Sequence, residues 1–368
     1  MSTAPALDNS EVLKDVDPRD WRYRLRLYAR EVSQGYAVHG CGNPLGHGVA
    51  LQVLADGSGG FGGIETCSSV WACPVCSARI GMGRRAELLR LVEWAKKNDY
   101  YINFLTLTQR HHKGESLKDL WDRISKAWNG VQARASFKRF QEQFGWRGYV
   151  RAAEVTHGRH GWHVHAHMLI ITSRPLDDAD DLVELRGRQG RLSYQAVEPF
   201  LFDQWRSAIE NQGGSVTASG MDLRPVAGGT EEIVAQYVGK GSSDIGLEMT
   251  MGGHKRGRDE NRTPFQILAD IAVFGEEPDV RLWREWLAGS KGRLQLVWSR
   301  GLKDKAGVAE MTDQEVAEQG PERETLGFIS RDDYVDVLQC GLLPNLLRKI
   351  ESSDIAGIIG TLGSRRSQ

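Results

Sequence analysis

After a polar opening stretch the hydrophobic pattern divides the chain into elements. VALQVLA (49–55) and IETC (64–67) read as β-prone, with the glycine-rich DGSGGFGG (56–63) as a flexible turn between them. From Ala78 to Lys97 the spacing becomes helical, placing Leu88, Leu91, Val92 and Ala95 on one apolar face. YINFLTLT (101–108) is a strand candidate. Residues 116–144 read as helix behind a Ser116 cap, with Leu117, Leu120, Ile124, Ala127 and Trp128 in helical register. Two strands follow, 148–156 and 162–172, joined by HGRHG. A helix near 196–211, a strand at 215–223 and a helix at 230–240 ended by Gly239 and Gly241 complete the centre. Beyond residue 306 the chain reads as helical and acidic. Strands and helices mix without βαβ alternation, which predicts an α+β fold built on an antiparallel sheet.

Composition narrows the class. The chain has 368 residues, 40% hydrophobic and 26% charged, with a formal charge of −1. That excludes disordered, collagen-like and disulfide-scaffold classes, and the length predicts two or three domains. The longest apolar runs, such as Met168 to Ile171, are too short for a membrane span. The opening MSTAPALDNSEVLKDVD lacks a signal-peptide pattern, and five cysteines in so long a chain suit a reducing cytoplasm. The near-zero charge speaks against a nucleic-acid binder only as an average. Residues 79–151 hold 16 Lys and Arg against 7 Asp and Glu, while residues 306–368 hold 6 against 11. A basic segment and an acidic tail cancel.

Chemistry concentrates in GWHVHAHMLII (161–171). Strand side chains alternate faces, so His163, His165 and His167 share one face and Val164, Ala166, Met168 and Ile170 the other, towards a core. An imidazole row backed by an apolar face, with Glu154 on the preceding strand, suits a divalent metal. His157 and His160 read as turn residues. Cys41, Cys67, Cys73 and Cys76 run C-x25-C-x5-C-x2-C, the pattern of a tetrahedral zinc site, with His39 or His47 as alternatives for one thiolate. Cys340 reads as a buried thiol. In EEIVAQYVGKG (231–241), Tyr237 and Lys240 share a helical face, which would suit a nucleophile with a cation beside it or a core aromatic.

Taken in order, FLTLTQRHH (104–112), the histidine strand and QYVGK (236–240) resemble the three motifs of rolling-circle replication initiators of the HUH endonuclease superfamily, most closely plasmid Rep proteins of actinobacterial type. TCSSVWACPVCSARI (66–80), RTPFQILADI (262–271) and GRLQLVWSRGL (292–302) extend the resemblance to residues 39–305. It implies a five-stranded antiparallel sheet flanked by helices, His165 and His167 as the metal-binding pair, and Glu154 or His163 as the third ligand of Mg²⁺ or Mn²⁺. It implies Tyr237 as the nucleophile that leaves a 5′-phosphotyrosine and a 3′-OH primer, with Lys240 steadying the transition state. Thr106 and Thr108 would support the sheet. Expected partners are single-stranded origin DNA, a host helicase and a polymerase. Related initiators carry a glutamate four residues before the tyrosine; here Ile233 stands there, and Glu232 faces elsewhere on a helix.

The expected organisation is an N-terminal segment (1–38), a zinc-binding module (39–80), an HUH nuclease domain (81–245), a C-terminal part of the core (246–305) and an acidic helical extension (306–368). Arg84, Arg85, Lys255, Arg256 and Arg258 are the candidate DNA contacts. The rivals are an HUH relaxase or single-strand transposase, a non-catalytic zinc-containing DNA-binding regulator and a hydrolase of small phosphodiesters. Relaxases commonly place the tyrosine before the histidine motif, the reverse of the order here.

Overall fold

The computed structural model describes residues 17–55, 57–176, 183–187, 190–194, 197–229, 232, 261–318, 323–354 and 357–358. Its centre is a five-stranded antiparallel sheet. The strands are β3 (Tyr101–Leu107), β4 (Trp146–Gly158), β5 (Gly161–Thr172), β8 (Met221–Pro225) and β9 (Leu296–Trp298), in the order β8-β3-β5-β4-β9. Helices flank it, so the α+β expectation with an antiparallel sheet holds. A second sheet joins β1 (Gly48–Leu54) and β2 (Gly59–Gly62) to β10 (Arg323–Ser330) in the order β10-β1-β2, and β6 (Val183–Gly187) pairs β7 (Gly190–Tyr194) as a hairpin.

The two faces of the central sheet are both buried, by different partners. Trp162, Val164, Ala166, Met168 and Ile170 of β5 pack with α3 (Leu117–Ala133), α4 (Ala135–Gln143), α5 (Val197–Glu210), α6 (Pro264–Phe274) and α7 (Glu277–Ser290). On the opposite face, Leu169 and Ile171 pack with Leu88, Leu91, Val92 and Ala95 of α2 (Pro74–Lys97). This second face is the histidine face. Apolar cover therefore protects its Leu169 end, and the imidazoles occupy the end that follows the tip of the β4–β5 hairpin.

Local signals explain most boundaries. Pro18 occupies the first turn of α1 (Pro18–Val32) and Asp17 accepts from Arg19 N at 2.7 Å. Thr263 and Gln266 form a capping box at α6, which ends at Gly275 with φ 66°. The helix expected over 116–144 is two helices, because Arg134 adopts extended geometry (φ −71°, ψ 136°) and its Nη1 donates to Gln204 O of α5 at 3.0 Å.

Three differences from the sequence reading are informative. The glycine stretch is a strand rather than a loose turn: a Cβ on Gly60 or Gly62 would come within 2.8 Å of Leu54 or Gln52 side-chain atoms. α1 emerges from an arginine-rich stretch, burying Trp21, Leu25 and Ala29. The tail, expected to be helical, does supply α9 (Asp313–Glu318), α10 (Arg331–Gln339) and α11 (Leu343–Glu351) after the short α8 (Leu302–Lys305), but its β10 also pairs with β1 along the full length of that strand. The segment 66–80 is continuous with the sheet core: Trp71 lies edge-on to Trp286 at 5.6 Å, and Trp286 stacks on Trp162 of β5 at 6.3 Å. Among the described residues no helix is long and apolar enough to cross a membrane.

Candidate metal centres

The antiparallel register sets the first centre. Glu154 of β4 lies opposite His165, Thr156 opposite His163, and Thr106 of β3 opposite His167. Residues opposite one another share a face, so two strands present their polar side chains to the histidine row. The Glu154 carboxylate accepts from His167 Nε2 at 2.7 Å, and His167 Nδ1 shares a hydrogen bond with Thr106 Oγ1 at 3.1 Å. A hydroxyl donates or accepts, so Thr106 serves either tautomer of the ring. A second chain runs beside it: His165 Nε2 to His163 Nδ1 at 3.2 Å, and His163 Nε2 to Thr108 Oγ1 at 3.0 Å.

Glu154, His165 and His167 each offer one ligand atom, all within 4.8 Å of one another. His163 falls outside that group among the described residues, occupied with Thr108 and stacked on His111 at 4.5 Å. Burial pushes the His163 imidazole down to about 3, with His165 and His111 adding to the shift. Burial also lowers His165, against the pull of Glu154. Both rings are therefore neutral near pH 7, the form in which a ring nitrogen binds metal. Two imidazoles and a carboxylate fit a divalent cation. The His167 side chain is only 5% exposed and that of Glu154 38%, so the group opens to solvent on the Glu154 side.

The second centre lies where α2 begins. Cys73 caps the helix, its Sγ accepting from Cys76 N at 3.4 Å, and Pro74 takes the first helical position. Cys41 Sγ lies 3.7 Å from both Cys73 and Cys76, and Cys67 lies 3.6 Å from Cys76. Thiolates around a tetrahedral zinc are spaced about 3.8 Å apart, given Zn–S bonds of about 2.3 Å, so the cluster has the right size. Burial raises the Cys73 thiol, while hydrogen bonds from Cys67, Cys73 and Cys76 lower Cys41. His39 is engaged elsewhere, its Nδ1 2.8 Å from Arg30 O, and neither it nor His47 joins the four cysteines.

Other expected residues are placed differently. Arg84, expected as a DNA contact, is buried, and its guanidinium is held by Glu87 at 2.5 Å and Asp313 at 2.6 Å, so its charge is engaged within the protein. Arg85 is half-buried on the same helix. His157, read as a turn residue, sits within β4 and exchanges two backbone hydrogen bonds of 2.8 Å with Arg262. Tyr237, Lys240, Lys255, Arg256 and Arg258 lie outside the described residues. Thr106 and Thr108, expected to support the sheet, also bond the imidazoles. Their alternation with Leu105 and Leu107 is visible in the sequence, but the register that sets them against His167 and His163 is not.

Residues 63–175 match the replication protein family. The chain is 25% identical over 317 residues to "Protein rep" of Streptomyces lividans, an alignment covering 71% of this chain and 68% of that protein. It is 28% identical over 181 residues to "Protein rep" of Lentilactobacillus hilgardii, covering 44% and 54% respectively. A protein of Streptomyces cyanogenus named "Neomycin resistance protein" is 27% identical over 150 residues, covering 34% of each chain. No solved structure matches significantly.

Proposed function

We propose that this chain, whose residues 63–175 match the replication protein family, initiates rolling-circle replication of a plasmid by nicking and rejoining one strand of origin DNA. The observation that carries this reading is the Glu154–His165–His167 group on an open end of the sheet, followed in the chain by the Tyr237–Lys240 pair. The five-stranded sheet with paired histidines on one strand supports an HUH-type nuclease.

In this reading Glu154, His165 and His167 hold Mg²⁺ or Mn²⁺, with His163 as the orienting neighbour. The cation supplies Lewis-acid polarisation of the scissile phosphate. The Tyr237 hydroxyl gives up its proton and attacks phosphorus; the bond to the 3′ oxygen breaks, and that oxygen takes up a proton as the 3′-OH primer. Lys240 neutralises charge on the pentacovalent phosphorus. Thr106 fixes the His167 ring and Thr108 the His163 ring. Cys41, Cys67, Cys73 and Cys76 hold a structural Zn²⁺ at the start of α2, four thiolates leaving no open position. Host helicase and polymerase would act after the nick.

The test uses the full chain with Mn²⁺ and end-labelled single-stranded origin DNA. A denaturation-resistant adduct is expected, and it disappears with Tyr237→Phe. An adduct undiminished in that variant, or none with the wild-type protein, rejects the mechanism. Retention of binding with no chemistry in any variant would favour the non-catalytic DNA-binding regulator.

A further inference from the structure

Two loops distant in sequence meet at the rim of the histidine face. The connection after β3 carries Arg110, His111, His112 and Lys113, and the β4–β5 tip carries Arg159 and His160. Gly161 makes the meeting possible. Its φ is +92°, and a Cβ there would lie 3.0 Å from Lys113 Cα and 3.3 Å from His112 O. The two backbones touch where only glycine leaves room. His111 ties the first loop to the histidine row by stacking on His163 at 4.5 Å.

Among the described residues the charges on this edge are not answered by ion pairs. Arg110, Lys113, Arg159 and His160 are exposed. The nearby carboxylate Glu115 is engaged by Arg123 at 2.8 Å and by the His112 backbone N–H at 3.0 Å. Among the described residues no carboxylate forms an ion pair with Arg110, Lys113 or Arg159. Three full cations thus line an open edge rather than a closed pocket, beside a centre whose carboxylate faces solvent. An open row of cations fits a string of phosphates better than a single small anion, and exposed charge reaches only about 8 Å at physiological salt, so the partner must lie against the edge itself.

We propose that this two-loop edge is a phosphate track that holds the DNA strand next to the scissile phosphate, with Lys113 and Arg159 as its principal contacts. The proposal rests on the nicking reading above for the identity of the strand. It shifts the expected grip from Arg84, which is neutralised internally, to loops that the sheet places at the site.

The test is binding of a fluorescent single-stranded origin oligonucleotide to the full chain in buffer without added Mg²⁺ or Mn²⁺, by anisotropy across a salt series. Lys113→Ala/Arg159→Ala is compared with Lys126→Ala/Lys138→Ala, an equal charge change on exposed positions of α3 and α4. The track pair is expected to weaken binding several-fold and to reduce the slope of log K against log salt by about 1.4, at about 0.7 per lost contact to a single strand. The control pair is expected to change neither. Equal losses in the two pairs, or none in either, overturn the proposal. The adduct assay with Mn²⁺ is run in parallel: no adduct from wild type with the slope change intact rejects the nicking reading and keeps the track, whereas an adduct with an unchanged slope rejects the track alone.

Discussion

Glu154 stands directly opposite His165 in the β4–β5 ladder, yet its carboxylate bonds the next imidazole along, accepting from His167 Nε2 at 2.7 Å. The carboxylate reaches diagonally across the hairpin and draws two rings and an acid into one group. His167 is held from its other side by Thr106. Groups that orient a metal-binding imidazole typically govern affinity by 10–100-fold. Thr106→Val is therefore expected to weaken Mn²⁺ binding by about tenfold, and Glu154→Ala by more, measured by calorimetry on the full chain. His163→Ala is expected to change it least of the histidine substitutions. If His163→Ala abolishes binding while Glu154→Ala spares it, the third ligand is His163.

Arg84 makes a prediction of the opposite kind. It is buried between Glu87 and Asp313, and Glu87 also faces the buried Lys303 at 3.6 Å. Removing one member of a buried charge network leaves another uncompensated, at a cost of about 3 kcal/mol or more. Arg84→Met is expected to lower the urea midpoint strongly while leaving the salt slope of DNA binding unchanged. A stable variant with a shallower slope would make Arg84 a DNA contact after all.

What was legible in the sequence follows from how far each signal reaches. The histidine row was visible because strand alternation is a local period of two, and Val164, Ala166, Met168 and Ile170 are buried as that period requires. The roles of Thr106 and Thr108 depend on the β3–β5 register, a long-range pairing that no window of sequence contains. Arg84 read as a DNA contact because its partner Asp313 is 229 positions away. β10 was missed for the same reason: RETLGFIS is a weak strand by composition, and its partner is β1 near the other end of the chain. α1 hid because arginines dominate PRDWRYRLRLYAREV, one of which, Arg26, is itself buried over the Tyr23 ring.

The tail is clasped to α1 by charge, which gives an acid dependence. Glu351 accepts from Arg19 Nη2 at 3.0 Å and from Gly59 N at 2.8 Å, and Arg348 grips Asp20 through both nitrogens at 2.6 and 2.9 Å. Partial burial pushes the Glu351 carboxyl up, but Arg19 and the Gly59 N–H outweigh it and hold the group below its ordinary 4.5. A carboxyl lowered by folding stabilises the protein fully above its unfolded value, and the benefit is lost as pH falls through the folded value. Acidifying from pH 7 to below about pH 4 should therefore lose more stability in the wild type than in Glu351→Gln, read from urea midpoints. Identical acid dependence in the two proteins would remove Glu351 from the clasp.

The cysteine group can be tested without DNA. The chain has five cysteines, of which Cys41, Cys73 and Cys76 are buried and Cys67 and Cys340 less so. Sulfur positions 3.6–3.7 Å apart suit four thiolates on one zinc ion, which shields them from alkylation and oxidation. The protein purified in reducing buffer is expected to carry one zinc per chain by elemental analysis and to expose a single reactive thiol, Cys340, to a disulfide reagent. A chelator added under native conditions should release the zinc and the remaining thiols together. Because Cys73 caps α2, whose other end packs on the Leu169–Ile171 face of the sheet, release should also lower the melting temperature of the whole chain. Cys73→Ser is expected to reproduce that loss and Cys340→Ser to leave it unchanged. Four thiols that react singly and without any change in melting would mean that the cluster holds no metal and that hydrogen bonding and apolar packing alone keep the sulfurs together.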